Sequence, residues 1–549
     1  MSKLNLDRDK IESCRLSARK ITQSSQDFVD RHTSVSVERA TLRLLGLEDT
    51  LKGKPVANLI VDQIPKEKLG LGASYWFGRA LAGQRSGSPL SLALRIADGK
   101  IDLMKTIDVP LEKIQKVMES MTRRALSRLE AARQKRQKQL DQFDRTERPL
   151  KYVQLQRETF EETITWIKIL AAQGVDGFEV STTDLKEIRT LRTLLDEIGQ
   201  ASEKYIRLSL NPSPLSGAET SVMAAVENVD AMTNDPIKET LFDETNLKRA
   251  LVDQAFARRV LARSGMTVNT AENFFLLQAD VYRCGSQILA SQFINEQLAV
   301  RASLPETQLG LRSSYDLSPA LENGLLCEIA QSQMTRDIFP KAPLQNLSPT
   351  RNQTGDPFFE QAQTALFGLV SVLTEQDVQL FIDAPSFPLQ DSLSKMKNAH
   401  FLFKSARHLG DEIYWSANGK LIRRARTVLE ETLQILKKIE GQGLTQAFEN
   451  GSFVRLSRPE AGGHGADGII RKESSYFNPL FKELEKETET AMESRETTSR
   501  EERPSRPQRD QKRKRYRGRR RPSRGPTEKP VENQAPVEKK EPTPEGEPS

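Results

Sequence analysis

The chain has 549 residues, with 82 Lys and Arg against 75 Asp and Glu, a formal charge of +7. That length holds a large domain plus extensions, and 37% hydrophobic with 6% aromatic residues describes a soluble globular body with polar appendages. No run of about eighteen apolar residues exists, and residues 1–10 lack a basic end followed by an apolar core. Neither a membrane span nor a secretory signal is expected, and the protein should be cytoplasmic.

The charge is unevenly spread. Residues 503–524 hold twelve Lys or Arg and a single Asp, a local +11; subtracting this from +7 leaves −4 for the remainder. The body is mildly acidic and the basic character belongs to the C-terminal tail. Cys14, Cys284 and Cys327 lie far apart without zinc or disulfide spacing, so buried thiols in a reducing compartment are expected.

In chain order, residues 6–31 show helical spacing and His32-Thr33-Ser34 reads as a turn. A second helix opens at Val37 and runs through Leu45 to Gly46. Residues 66–146 read as helices broken near 83–88 and around Pro110. In the last of these, Ile114, Val117, Met121, Ala125 and Leu129 form a buried stripe. The basic run 133–138 that extends this helix reads as a solvated face. From about residue 150 short strand-like runs (152–155, 178–180, 206–210, 266–268, 378–381) alternate with helical stretches such as 285–303, 318–336 and 423–440. Alternation of this kind predicts an α/β fold with a parallel sheet. A TIM-like (β/α) barrel suits the length, with any site at the carboxyl ends of its strands, after Val180, Leu210 and Val268. The resulting division is an N-terminal helical region (1–149), a barrel with C-terminal helices (150–484) and a disordered, Pro-rich basic tail (485–549).

Two motif matches carry no chemistry. Gly463-His464-Gly465-Ala466-Asp467-Gly468 has the glycine spacing of a dinucleotide site but no preceding strand and following helix, so it reads as a loop. His32, His400, His408 and His464 are too scattered for a metal centre. In the tail, Lys512, Arg513, Lys514, Arg515, Arg517, Arg519, Arg520 and Arg521 interleave with Tyr516 and Gly518, a composition suited to RNA or another polyanion.

Several blocks occur in a recognisable order: Val35-Ser36-Val37-Glu38-Arg39-Ala40; Ser291-Gln292-Phe293-Ile294-Asn295-Glu296-Gln297; Asp337-Ile338-Phe339-Pro340-Lys341-Ala342-Pro343; Gly462-Gly463-His464-Gly465; and Tyr476-Phe477-Asn478-Pro479. Together they resemble the α subunit of lysine 5,6-aminomutase, from about Leu4 to Leu484. The resemblance implies a barrel that cradles pyridoxal phosphate (PLP) and substrate. A separate β subunit brings adenosylcobalamin and the lysine that joins PLP. The parent reaction is a radical 1,2-amino shift in amino-acid metabolism.

The same resemblance marks the positions that would hold PLP. Ser213 falls on a phosphate-binding serine and is kept. Lys238 stands where a tyrosine stacks on the ring, and a lysine offers no flat face. Asp243 replaces an arginine. Ser181-Thr182-Thr183-Asp184 stands where the family has Arg-Thr-Thr-Gly and then a long excursion, which is absent here. Thr182 and Thr183 keep their hydroxyls, but the arginine is lost and an aspartate displaces the glycine. Asn273 and Phe274 occupy positions of an aspartate and an asparagine that serve substrate and cofactor. Five changes in one pocket predict that this chain does not hold PLP in the family manner and is non-catalytic or altered. The alternatives are an active aminomutase with substitute residues, in which Arg207 or Arg259 could replace the missing cation, and a polyanion-tethered scaffold acting through the tail.

Overall fold

The protein is described from a computed structural model. It describes residues 3–84, 87–143, 147–271, 281–314, 321–347, 356–383, 388–407, 409–412, 419–450 and 463–485. The N-terminal region contributes α1 (Arg8–Arg31), α2 (Val35–Leu44) and α3 (Leu111–Phe143). Asp7 caps α1 by accepting from Asp9 N at 3.0 Å and Lys10 N at 3.3 Å. The face carrying Cys14, Ala18, Ile21, Ser25 and Val29 is buried.

The expected turn at His32-Thr33-Ser34 is instead a short strand, paired antiparallel with Ile469–Arg471. Its partner lies at the far end of the chain, beyond any local window. Ser34 then caps α2 through Val37 N at 3.1 Å.

The buried stripe of α3 is Ile114, Met118, Met121, Ala125 and Leu129, with Val117 only partly covered. It continues through Ala132 to Arg136, so the run 133–138 is not wholly a solvated face. Arg136 donates to Ser264 O at 2.8 Å and lies 3.8 Å from Asp230. Three turns of apolar spacing place residue 136 on the inner face, and a long guanidinium can be buried when it finds acceptors.

Eight parallel strands close a barrel: β1 (Leu150–Leu155), β2 (Gly177–Val180), β3 (Arg207–Leu210), β4 (Ala231–Thr233), β5 (Thr267–Asn269), β6 (Leu309–Ser314), β7 (Leu344–Leu347) and β8 (Val378–Asp383). β8 pairs with β1 to complete the ring. The (β/α) barrel read from sequence is the fold. Five strands were legible; β4, β6 and β7 were not, and their sequences (Ala-Met-Thr, Leu-Gly-Leu-Arg-Ser-Ser, Leu-Gln-Asn-Leu) show why. Each carries a polar residue that points into the barrel, so neither a continuous apolar run nor β-branched enrichment appears.

The helices that build the site and its supports are α4 (Leu185–Ala201), α5 (Gly217–Val226), α6 (Pro236–Phe242), α7 (Leu247–Ser264), α8 (Val281–Arg301) and α9 (Gly324–Ile338). The sequence blocks that carried the family resemblance are largely joints between these helices and the N-terminal region. Phe293 of α8 and Phe339 are fully buried with ring centroids 5.4 Å apart. Glu296 pairs with Arg15 of α1 at 3.0 Å. Asp337 accepts from Leu4 N at 2.8 Å. Asn295 accepts from the buried Arg258 at 2.8 Å, and Arg258 also donates to Asn234 O at 2.9 Å.

The opening and closing blocks meet each other. Glu38 is fully buried and accepts from Ala73 N at 2.7 Å, Thr33 Oγ1 at 2.7 Å and Tyr476 Oη at 2.8 Å. Asn478 Nδ2 donates to Thr41 Oγ1 at 2.9 Å. Burial pushes the Glu38 carboxyl above its ordinary range, and these donors oppose that shift. Removing one donor should therefore be felt. Tyr476→Phe is expected to lower stability by about 1–2 kcal/mol, read as a lower urea midpoint at unchanged denaturant slope.

Candidate functional site

The barrel interior beneath the carboxyl ends of the strands is polar. Glu179 of β2 and Arg312 of β6 form an ion pair across it, and both are buried. Gln154 Nε2 and Ser209 Oγ donate to Glu179 at 3.0 and 3.1 Å. Arg312 Nε donates to Gln345 Oε1 at 2.8 Å, and Gln345 Nε2 donates to Asn269 Oδ1 at 2.7 Å. Thr233 Oγ1 accepts from Arg312 Nη1 at 3.3 Å. Seven strands thus contribute to one connected network, the floor of the barrel mouth. None of these residues was singled out from sequence; a local signal that could have found one is Glu179, a carboxylate inside the strand-like run 178–180.

Above the floor, the loop after β2 has committed its polar groups. Thr182 Oγ1 donates to Glu187 Oε2 at 2.5 Å. Asp184 is the N-cap of α4, its Oδ1 accepting from Lys186 N at 2.7 Å and Glu187 N at 3.1 Å. The free N–H groups of a helix start are a ready anion site, and here a side-chain carboxylate fills it. Thr183 and Ser213 are exposed. Ser213 sits in the loop after β3, its carbonyl accepting from Ser216 Oγ at 2.5 Å.

After β4, Asp235 caps α6 through Ile237 N at 2.9 Å and also accepts from Ala271 N at 2.9 Å. Lys238 and Asp243, at the two ends of α6, pair with each other: Nζ to Oδ2 is 2.5 Å, both side chains mostly covered. Between them Glu239 is buried and accepts from Gln254 Nε2 at 2.5 Å. Burial, with Asp253, Asp243 and Asp235 nearby and only Lys238 opposing, pushes its carboxyl up to about 8. On the opposite side of the mouth Asp383, at the end of β8, pairs with Arg157, whose guanidinium lies 3.4 Å over the Trp166 ring.

Neither candidate substitute cation reaches the mouth. Arg207 opens β3, at the amino end of the barrel, and Arg259 pairs with Glu485 at 2.7 Å against Phe481. Asn273, Phe274 and His408 lie outside the described residues, as do the tail arginines and lysines from Lys512 to Arg521 and the whole of 486–549. His464 is exposed beside Glu244, and His32 stacks on Phe28 at 3.9 Å. The glycine motif at 463–468 forms a loop with one 3-10 turn, as expected, running into the strand Ile469–Arg471. The three cysteines are buried and none of them forms a disulfide. Among the described residues no helix is long and apolar enough to cross a membrane, and no His, Cys, Asp and Glu cluster could hold a metal ion.

A family model described as the D-lysine 5,6-aminomutase TIM-barrel domain of the α subunit matches residues 4–184 and 174–483. The chain belongs to the lysine 5,6-aminomutase α-subunit family. It is 34% identical over 508 residues to the lysine 5,6-aminomutase α subunit of Acetoanaerobium sticklandii, covering 87% of this chain and 98% of that one. It is 35% identical over 511 residues to the corresponding subunit of Fusobacterium nucleatum, covering 88% and 98%. A D-ornithine 4,5-aminomutase β subunit of A. sticklandii is 20% identical over 325 residues, 56% of this chain and 43% of that one. The two segments matched by the aminomutase model meet at 174–184. That stretch contains the loop where the sequence reading placed a missing excursion.

Glu239 gives this aminomutase-family barrel a testable pH signature. Its folded pKa of about 8 lies above its ordinary value of 4.5, so the folded state binds the extra proton between them. Stability then falls as pH rises through that window. Glu239→Gln should remove this slope: urea midpoints at pH 5 and pH 8 should differ less in the variant than in the parent chain.

Proposed function

We propose that this chain is an α-type aminomutase subunit that no longer grips PLP in the family manner. Its role is then that of a barrel partner for a cobalamin-binding β-type subunit rather than an amino-shifting catalyst. The observation that carries this reading is the Lys238–Asp243 ion pair at 2.5 Å. The two residues stand where the family sets a ring-stacking tyrosine and a cofactor-holding arginine, and here they satisfy each other.

The donor inventory supports the same reading. An anionic phosphate needs cations or open N–H groups, but the α4 start is capped by Asp184 and the Thr182 hydroxyl is spent on Glu187. Because Lys238 neutralises Asp243, the change at 243 removes an attraction more than it adds a repulsion. An ion pair about 4 Å apart is worth about 4 kcal/mol at an effective dielectric of about 20, enough to loosen a coenzyme by orders of magnitude. The residues present do not fit PLP.

The experiment is a PLP titration of the purified chain together with a cobalamin-binding β-type subunit, followed by the coenzyme's absorbance. The parent chain should show no saturable spectral change at micromolar coenzyme. The triple variant Asp184→Gly, Lys238→Tyr, Asp243→Arg should bind at least about tenfold more tightly, as expected on regaining a charge-assisted contact. Tight saturable binding by the parent chain with amino-acid isomerisation would establish the active-enzyme alternative instead.

A further inference from the structure

A second concavity lies outside the barrel mouth, between α2 and α5, closed below by the loop after β3. Its volume is about 410 Å³, within the range of small-ligand sites. Arg39, Arg43, Thr183, Leu215, Glu219 and Met223 are among its lining residues, whereas Ser213, Lys238 and Asp243 are not. It shares Thr183 with the loop that the resemblance aligns to the coenzyme's phosphate, but it excludes the two positions aligned to the ring-stacking tyrosine and the cofactor-holding arginine.

The guanidinium of Arg43 is only 9% exposed, yet its donors are poorly matched. Nη2 reaches Glu219 Oε2 at 2.6 Å and Asn58 Oδ1 at 3.1 Å. Nη1 has the thioether of Met223 at 3.2 Å, a weak acceptor. Nε has no hydrogen-bond partner among the described residues, and the same holds for Arg39 Nε and Thr220 Oγ1. Burial pushes the Arg43 pKa down by more than Glu219 restores, as for a cation that lacks acceptors. Arg39 is tied to Asp62 at 2.6 Å and stands 3.9 Å from the same Glu219, so two guanidiniums share one carboxylate. Arg249, on the same wall, is already spent on Asp253, Gly465 O and Ser36.

The backbone adds an independent sign. Leu215 has φ of +64°, a left-handed conformation unusual for a bulky residue. Strain of this kind persists where surrounding structure over-determines it and clusters at ligand sites. Here it is held by Ser36 Oγ donating to Leu215 O at 2.9 Å, with the Leu215 side chain against Gly465. Thr183 forms the outer edge, at the stretch where the two family-matched segments meet. The opening thus borders the place where this chain departs from its relatives.

We infer that this pocket is a second ligand site, for a small organic anion that sets a carboxylate or phosphoryl group against Arg43 and Arg39. Its apolar body lies against Leu215 and Met223. The inference does not rest on the loss of PLP binding at the barrel mouth.

Calorimetric titration of the full chain with succinate and, separately, inorganic phosphate tests it. At least one probe should bind saturably at one per chain; succinate alone points to an organic carboxylate, and phosphate binding to a phosphoryl ligand. Arg43→Met should weaken binding about tenfold, the scale of one charge-assisted hydrogen bond. Thr183→Glu, at an exposed rim position, should weaken it several-fold through repulsion at an unchanged melting temperature, and it carries the test if Arg43→Met fails to fold. The double variant Lys238→Met, Asp243→Leu, which removes the barrel-mouth ion pair without adding an anion donor, should bind the probe as the parent does. Absence of saturable heat with both probes, binding indifferent to Thr183→Glu, or loss of the probe in that double variant would each overturn the assignment.

Discussion

A carboxylate and a guanidinium facing each other inside a closed barrel constrain everything around them. Removing two charges from water costs several kcal/mol per ion even after relaxation, and the pair repays this only if the remaining lone pairs and N–H groups are satisfied. Glu179 and Arg312 meet that demand by recruiting Gln154, Ser209, Thr233, Asn269 and Gln345. The network therefore dictates residue types on seven strands. Because all but the half-buried Gln154 are buried, loss of one member strands the others, which makes the floor of the mouth a rigid platform rather than an adaptable surface.

That demand explains which parts of the fold were legible. β1, β2 and β3 carry enough apolar residues to read as strands despite Gln154, Glu179 and Ser209, which they lend to the interior, and β8 turns the apolar Val378, Leu380 and Ile382 towards Leu150 and Tyr152 of β1. β4, β6 and β7 are short or split by Thr233, Arg312 and Gln345, and a periodicity argument passes over them. Helices with one apolar face, such as α1 and α3, read correctly in position, but the buried face of α3 was set one residue off at Val117 and cut short before Arg136. A basic run reads as solvated because sequence carries no record of Ser264 O and Asp230 waiting to receive its inner member. The strand at His32–Ser34 was invisible for a related reason: its ladder partner, Ile469–Arg471, lies at the far end of the sequence.

The candidate site was legible in a different way. The family resemblance pointed to Thr182, Thr183, Ser213, Lys238 and Asp243, but could not say what these residues do in each other's presence. Local spacing could have found part of it, since Asp184 precedes a helix and reads as a cap, and Lys238 and Asp243 are five apart, near one turn of α6. Glu239 had no sequence signal at all. Its shifted carboxyl depends on burial beside Gln254 and on three other acidic residues brought together from α6, its cap and α7.

The distribution of retained and altered residues follows from what each kind of contact tolerates. The blocks shared with the aminomutase α subunits join helices to helices: Phe293 with Phe339, Glu296 with Arg15, Tyr476 with Glu38. A single change there opens a cavity or leaves a buried polar group unpaired, at a cost of about 1–5 kcal/mol against a total stability of about 5–15 kcal/mol. Residues at the mouth bear no such load. On the proposed reading Lys238 and Asp243 stand in for an aromatic ring and a guanidinium, and the two neutralise each other across α6. A lone aspartate would have left a half-buried carboxylate without a counter-charge, and a lone lysine an unpaired ammonium in the same place. The two changes are compatible with folding as a pair, and once paired each is unavailable to an incoming anion. If the mouth is remodelled as proposed, its change and the preservation of the scaffold are one outcome: packing limits the scaffold, and only a ligand would have limited the mouth.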